Sequence, residues 1–331
     1  MLAPRHIERF SQFGFDPTDK DRRELNRFRG AQVELACSEM MSPHSARTTM
    51  TVTPPVISAL DLAAALDAGD DVVVLEVRRD RHTLPVGVHL PTADDGPAGH
   101  VPGAHLVDFA QLVGPRTETS GNSPLPEAAQ VRELVRRWGI HDSSVIVVYS
   151  PDHPSTASRV WWVLRWAGLR DVRYLDGGLS AWLAAGRQLG DLRPVGGGGT
   201  AQVRPGSLPT LDAASAAALA RDGHLLDARG SGAYAGAGDD AAGGHIPGAH
   251  SLPGIDNLRD GYLADADILR ELYAPYLTGA PIGSYCGGGV AATLDVLALS
   301  TIGVSAALYP GSWSQWTTDP SRPIATGALP G

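Results

Sequence analysis

Four short motifs occur twice in this chain, in the same order. Gly99-His100-Val101-Pro102-Gly103-Ala104-His105 returns as Gly244-His245-Ile246-Pro247-Gly248-Ala249-His250. Val73 to Arg78 (VVLEVR) returns as Leu225 to Arg229 (LLDAR). Val147-Val148-Tyr149-Ser150 returns as Gly283-Ser284-Tyr285-Cys286, and Asp176 to Trp182 (DGGLSAW) as Pro310 to Trp316 (PGSWSQW). One such coincidence is cheap, but four in order mean a duplicated domain. The length of 331 residues agrees, at roughly 100–200 residues per domain. The seam falls at Pro194-Val195 and Gly196 to Gly199, which read as a flexible glycine linker within 191–205. The expected domains are residues 51–190 and 206–325.

Within each copy, short apolar runs alternate with helical ones. Val72 to Leu75 follows Gly69-Asp70-Asp71 and reads as a buried strand, as does Val145 to Tyr149. Residues 127–138 (EAAQVRELVRRW) and 156–167 (TASRVWWVLRWA) read as helices, the second with a heavy aromatic face. Ser58 is an expected helix N-cap before an Ala/Leu run. Unbroken apolar strands alternating with helices imply an α/β fold, each domain a central, mainly parallel sheet with helices on both faces. Residues 1–50 depart from this pattern, and Met50 begins a stretch that reads like an ordinary protein start. The expectation is a flexible extension; a short docking helix over 19–29 is the rival, and Cys37 there is a spare thiol.

Composition excludes several classes. The formal charge of −9 argues against nucleic acid or an anionic membrane as partner. No run approaches the roughly 18 apolar residues of a membrane span, and the N-terminus lacks the apolar core of a secretion signal. A cytoplasmic chain is expected. With two cysteines and no C-x-x-C, there is neither a disulfide framework nor a zinc site. Lys20 is the one lysine, so an anion site here must use arginine, histidine or backbone N–H groups.

Cys286 carries the chemistry. It ends a short strand and precedes Gly287-Gly288-Gly289-Val290-Ala291-Ala292, with a helix opening near Thr293-Leu294. Glycines allow a loop to turn successive N–H groups around one point, and the helix terminus adds partial positive charge. A thiolate at that point is nucleophilic at neutral pH. The alternative is a structural cysteine beside a glycine turn.

These residues resemble the tandem-domain rhodanese family of thiosulfate and 3-mercaptopyruvate sulfurtransferases, over about residues 52–325. The resemblance implies two α/β domains, with the nucleophile in the second and lost from the first, where Ser150 stands near its place. It implies double displacement: Cys286 takes sulfur from a small-molecule donor as a persulfide and passes it to a thiol or cyanide. No metal or organic cofactor is needed. Gly287, Gly288, Gly289, Val290 and Ala291 would cradle the bound group. By the family's D-[AS]-R motif, Arg229 should reach toward the donor's anionic end, though pairing with Asp227 is the plainer reading. His100 and His245 are expected to fix turns. Trp161, Trp162, Trp166, Trp313 and Trp316 are expected to pack, with the loop near Trp313 a candidate wall of the pocket. Two joined domains bury the surface that single ones would pair through, so a monomer is expected.

The sequence also departs from the family. Gly288 replaces a hydroxyl residue and Ala291 a threonine, while Ala233-Tyr234 stands where a second arginine often lies. No cation after Cys286 supports the thiosulfate type and Gly287 fits the mercaptopyruvate type, but the missing second arginine weakens mercaptopyruvate in turn, so neither donor is singled out. A cysteine phosphatase or arsenate reductase would close the loop with C-x5-R, but that position is Ala292. A non-catalytic sulfur-carrier or regulatory module is the remaining alternative.

Overall fold

The apolar runs form two parallel sheets. The computed structural model describes residues 53–79, 99–151, 153–194, 196–236 and 243–331. In the first repeat the elements are β1 (Val56–Ile57), α1 (Ala59–Ala68), β2 (Val72–Arg78), β3 (His105–Asp108), α2 (Ala128–Arg137), β4 (Val145–Tyr149), α3 (Pro154–Trp166), β5 (Val172–Leu175) and α4 (Gly178–Ala184). Its sheet runs β1-β5-β4-β2-β3, every pair parallel. The second repeat follows with α5 (Ala213–Asp222), β6 (His224–Asp227), α6 (Ser231–Ala235), β7 (His250–Ser251), β8 (Leu258–Arg259), β9 (Tyr262–Leu263), α7 (Ala266–Tyr273), β10 (Ile282–Tyr285), α8 (Ala292–Thr301), β11 (Ala306–Leu308) and α9 (Ser312–Trp316). Its sheet runs β11-β10-β6-β7, again all parallel, with β8 and β9 a separate antiparallel hairpin.

Local signals explain the element ends. The Ser58 hydroxyl caps α1 by accepting from Asp61 N–H, and Gly69 ends it in the left-handed conformation at φ 74°. Pro154 opens α3, where a missing N–H costs nothing, which starts that helix two residues before the expected 156.

The duplication is visible in matched hydrogen bonds. Val101 N–H donates to the Tyr149 hydroxyl (3.0 Å), and Ile246 N–H to the Tyr285 hydroxyl (3.1 Å). Arg78 pairs with buried Glu76 at 2.7 Å, and Arg229 with buried Asp227 at 2.6 Å. His100 Nδ1 bonds Glu76 (2.8 Å), whereas His245 stacks on Tyr234 and bonds its carbonyl (2.9 Å).

The repeats share one core. An apolar cluster runs from Val73, Val148, Trp161 and Trp162 to Leu226, Leu297 and Leu308. Helices α3 and α8 meet there, and the Ser158 and Thr293 hydroxyls bond at 2.7 Å, both fully buried. The glycine run, expected to be a flexible linker, is hydrogen-bonded to the first repeat. Gly197 and Gly199 N–H groups donate to the Arg137 and Arg136 carbonyls, and Thr200 and Ala201 to that of Ile140. The fit needs glycine: a Cβ on Gly199 would lie 2.2 Å from the Val135 carbonyl oxygen. The expectations for residues 1–50, including Cys37 and a helix over 19–29, lie outside the described residues.

Candidate active site

Cys286 is the first residue beyond β10, an inner strand of the second sheet. The carboxyl ends of parallel strands are where such sheets gather their loops and ligands. The thiol is 2% exposed, and Val290 N–H donates to Sγ at 3.2 Å. Gly289 makes that geometry possible. It sits at φ 76°, and a Cβ there would fall 2.2 Å from the Pro310 carbonyl oxygen. The N–H groups of Gly287, Gly288 and Gly289 take no acceptor among the described residues, and α8 starts after Ala291. Unpaired N–H groups next to a helix start are the donors that anions favour.

The returning segment 310–316 forms one wall. Cys286 N–H donates to the Ser312 hydroxyl (3.1 Å), which donates to the Tyr309 carbonyl (2.8 Å). Trp313 N–H donates to the Cys286 carbonyl (2.9 Å), and Ser314 N–H to that of Gly287 (2.8 Å). Ser312 holds this position at φ 53°, a strained value for serine.

The first repeat forms the other wall, which the sequence did not disclose. Asn122 N–H donates to the Ser314 hydroxyl (2.9 Å). A Cβ on Gly288 would lie 3.1 Å from Asn122 Cβ, so the first repeat presses closely on this position of the loop. Arg159 of α3 is fully buried; it donates to the Gly289 carbonyl (3.0 Å) and the Ser123 carbonyl (2.9 Å). Burial pulls its pKa down to about 10, and the charge interaction with Cys286 opposes that fall. Arg79, beyond β2 and stacked 4.8 Å over Phe109, is lowered by burial and by Arg116, with Cys286 again opposing. His153 is held below the ordinary histidine value by burial and then by Arg79. The loop has no cation of its own; its cations arrive from the other domain. The one legible hint was a lone arginine inside an otherwise buried helical run, TASRVWWVL.

Arg229 is paired with Asp227. Its Nε and Nη2 donate to Asp227 at 2.9 and 2.6 Å, and its guanidinium lies 4.5 Å over the Trp313 ring. It reaches the Cys286 loop through Trp313. Trp161 and Trp162 lie in the shared core, and Trp313 and Trp316 in a second apolar cluster.

Beneath the loop, Asp295 of α8 is fully buried. It accepts from Ser284 Oγ (2.7 Å) and Asn257 Nδ2 (2.8 Å). Burial raises its carboxyl to about 7 against the pull of those two donors. Among the described residues no group of three His, Cys, Asp or Glu side chains is arranged for a metal, and no helix is long and apolar enough to cross a membrane.

The comparisons follow the repeat. The Rhodanese-like domain model matches twice, at residues 58–185 and 212–319. The chain is 38% identical over 288 residues to "Probable 3-mercaptopyruvate sulfurtransferase" of Pseudomonas aeruginosa, covering 82% of this chain and 98% of that one. It is 29% identical to the 3-mercaptopyruvate sulfurtransferase of Escherichia coli K12, over 68% of this chain and 83% of that one. Among solved structures, the anaerobic ergothioneine biosynthesis enzyme of Chlorobium limicola matches in fold, with TM-score 0.69, 20% identity, and coverage of 83% of this chain and 71% of that one. Two parallel sheets that share four strands in matching order, two matched sets of tyrosine and arginine contacts, and two hits of one model lead to a single conclusion: the chain belongs to the rhodanese-like family and carries two copies of its domain.

Proposed function

We propose that this chain is a sulfurtransferase that carries sulfane sulfur as a persulfide on Cys286. The observation that supports it most is the Val290 N–H on Sγ within a donor-lined loop, at the carboxyl end of β10. The names of its relatives point the same way. The Cys286 thiolate attacks the outer sulfur of the donor. With thiosulfate the S–S bond breaks and its electron pair leaves on sulfite. With 3-mercaptopyruvate the C–S bond breaks and the carbon leaves as the pyruvate enolate, which takes a proton from solvent. An acceptor thiolate or cyanide then attacks the outer persulfide sulfur, and the electron pair returns to Cys286. Splitting the transfer in this way predicts ping-pong kinetics. The loop residues Gly287 to Ala291 hold the transferred group, and Arg79 and Arg159 supply the positive field that the loop lacks. Arg229 braces Trp313. Residues 206–325 are the catalytic domain and 51–190 the non-catalytic one, in a cytoplasmic monomer.

Intact mass tests this. Incubation with thiosulfate, or separately with 3-mercaptopyruvate, should add one sulfur, about 32 Da, at the covalent intermediate. The Cys286→Ser variant should add none at that position. If neither donor adds sulfur while Cys286 remains a titratable thiol, the chain is a carrier or regulatory module instead. Steady-state rates with the two donors then decide between them.

A further inference from the structure

We propose that Arg159 of the first domain is the buried counter-charge for the sulfur anion at Cys286, so that the non-catalytic repeat completes the reactive centre. A fully buried guanidinium is costly unless its charge is compensated. The other buried charges have partners of their own: Glu76 has Arg78, Asp227 has Arg229, and Asp295 is pushed toward its neutral form. Arg159 pairs with no carboxylate among the described residues. Its two hydrogen bonds end on backbone carbonyls, and its Nε has no partner.

The geometry shows where the compensation lies. Arg159 donates to the Gly289 carbonyl, and the N–H of that same peptide unit, on Val290, donates to Cys286 Sγ. The cation thus grips one end of a peptide whose other end holds the sulfur. A guanidinium on the oxygen polarises the peptide and strengthens its N–H as a donor, an effect that grows in a dry, low-dielectric setting. The neighbouring residue reinforces the clamp: Ser158 bonds Thr293, whose hydroxyl donates to the Val290 carbonyl at 2.6 Å. Two successive residues of α3 therefore hold two successive residues of the loop. Arg159 touches no reacting atom; it is a positioning residue that acts through the peptide and through its field.

Charge and hydrogen bonding can be separated. Arg159→Lys keeps the charge, and Arg159→Gln keeps an N–H donor without it. The readout is the pH profile of iodoacetamide alkylation at Cys286 in the full chain, followed by peptide mass so that Cys37 is resolved. Arg159→Gln should move the profile up by about one pH unit and slow alkylation at pH 7 about tenfold. Arg159→Lys should stay within about threefold of the parent chain, a gap that the charge explains. A Gln profile that overlays the parent, or equal shifts in both variants, overturns the proposal. Should neither variant fold, the parent chain and Cys286→Ser are melted across the same pH range. The parent's advantage must grow as pH rises through its own alkylation midpoint, and a constant gap also overturns the proposal. The inference rests on Cys286 being the reactive sulfur, but alkylation needs no sulfur donor. A chain that shows the Arg159 dependence yet takes no sulfur fails the sulfurtransferase reading alone.

Discussion

Replacing Asp295 by Asn should flatten the pH dependence of this protein's stability. The side chain is fully buried in α8 and accepts hydrogen bonds from Ser284 Oγ and Asn257 Nδ2. Asn keeps the shape: its oxygen accepts from Asn257, and its amide donates to the Ser284 oxygen, whose hydroxyl is free to turn. The charge is what changes. Burial raises the carboxyl from 3.8 to about 7, so the native state keeps a proton that the unfolded chain gives up. Stability therefore falls as pH rises from near 3.8 to about 7, and levels off above it. At 1.36 kcal/mol per pH unit, the full cost is on the order of 4 kcal/mol, reduced to roughly 2–4 where the network relaxes around the anion. Arg, His and the other carboxylates are common to both chains, so the difference between them isolates this one group. Thermal melts at several pH values from 5 to 8.5 should show the Asn variant gaining on the parent as pH rises. The gain should be roughly 1.5–2 °C for each kcal/mol at this chain size. Parallel curves across that range would refute the assignment of a proton to buried Asp295.

Two predictions concern the loop. Gly289→Ala places a methyl 2.2 Å from the Pro310 oxygen at a φ of 76°, so the loop must rebuild. A loss of roughly 3 kcal/mol or more is expected in denaturant melts, with no persulfide in the mass spectrum. Gly288→Ser meets Asn122 Cβ at 3.1 Å, a contact that a few tenths of an ångström relieve. It should cost under about 1.5 kcal/mol, and Asn122→Gly in the same chain should recover that cost in a double-mutant cycle.

Much of the fold was legible because its signals are local. Val72 to Leu75 and Val145 to Tyr149 read as buried strands from their unbroken apolar runs, and Ser58 read as a cap from the Ala/Leu run after it. Cys286 was legible because a thiol, three glycines and a helix start lie within a few residues. What was hidden depends on packing between distant segments. Arg159 looks like one polar residue of an aromatic helix until α3 meets α8. Gly288 looks like a lost hydroxyl until Asn122 is seen pressing closely on it. The glycine run at 196–199 reads as slack because composition says nothing about which backbone lies alongside, yet Gly199 is pressed against Val135 and bonded to Arg136. Arg229 carried the family's donor role by motif, while the contact that holds it is two residues away, at Asp227.

The buried arginine also bears on how the molecule is made. Synthesis runs from the first repeat to the second, and domains made first fold first. While β10 and α8 are still unmade, the face of α3 that will meet them looks out on water. Arg159 is then hydrated at low cost, and it places a charge on that surface beside Ser158, whose hydroxyl will meet Thr293. A nascent half with a cation at the centre of its docking face is a poor partner for a second copy of itself, because two such faces would set like charges together. The arriving second half brings Cys286 and the Gly289 carbonyl, while the Ser123 carbonyl is already supplied by the first half. If Arg159 is the counter-charge proposed for Cys286, one residue guards the face while it is alone and serves the sulfur once it is covered.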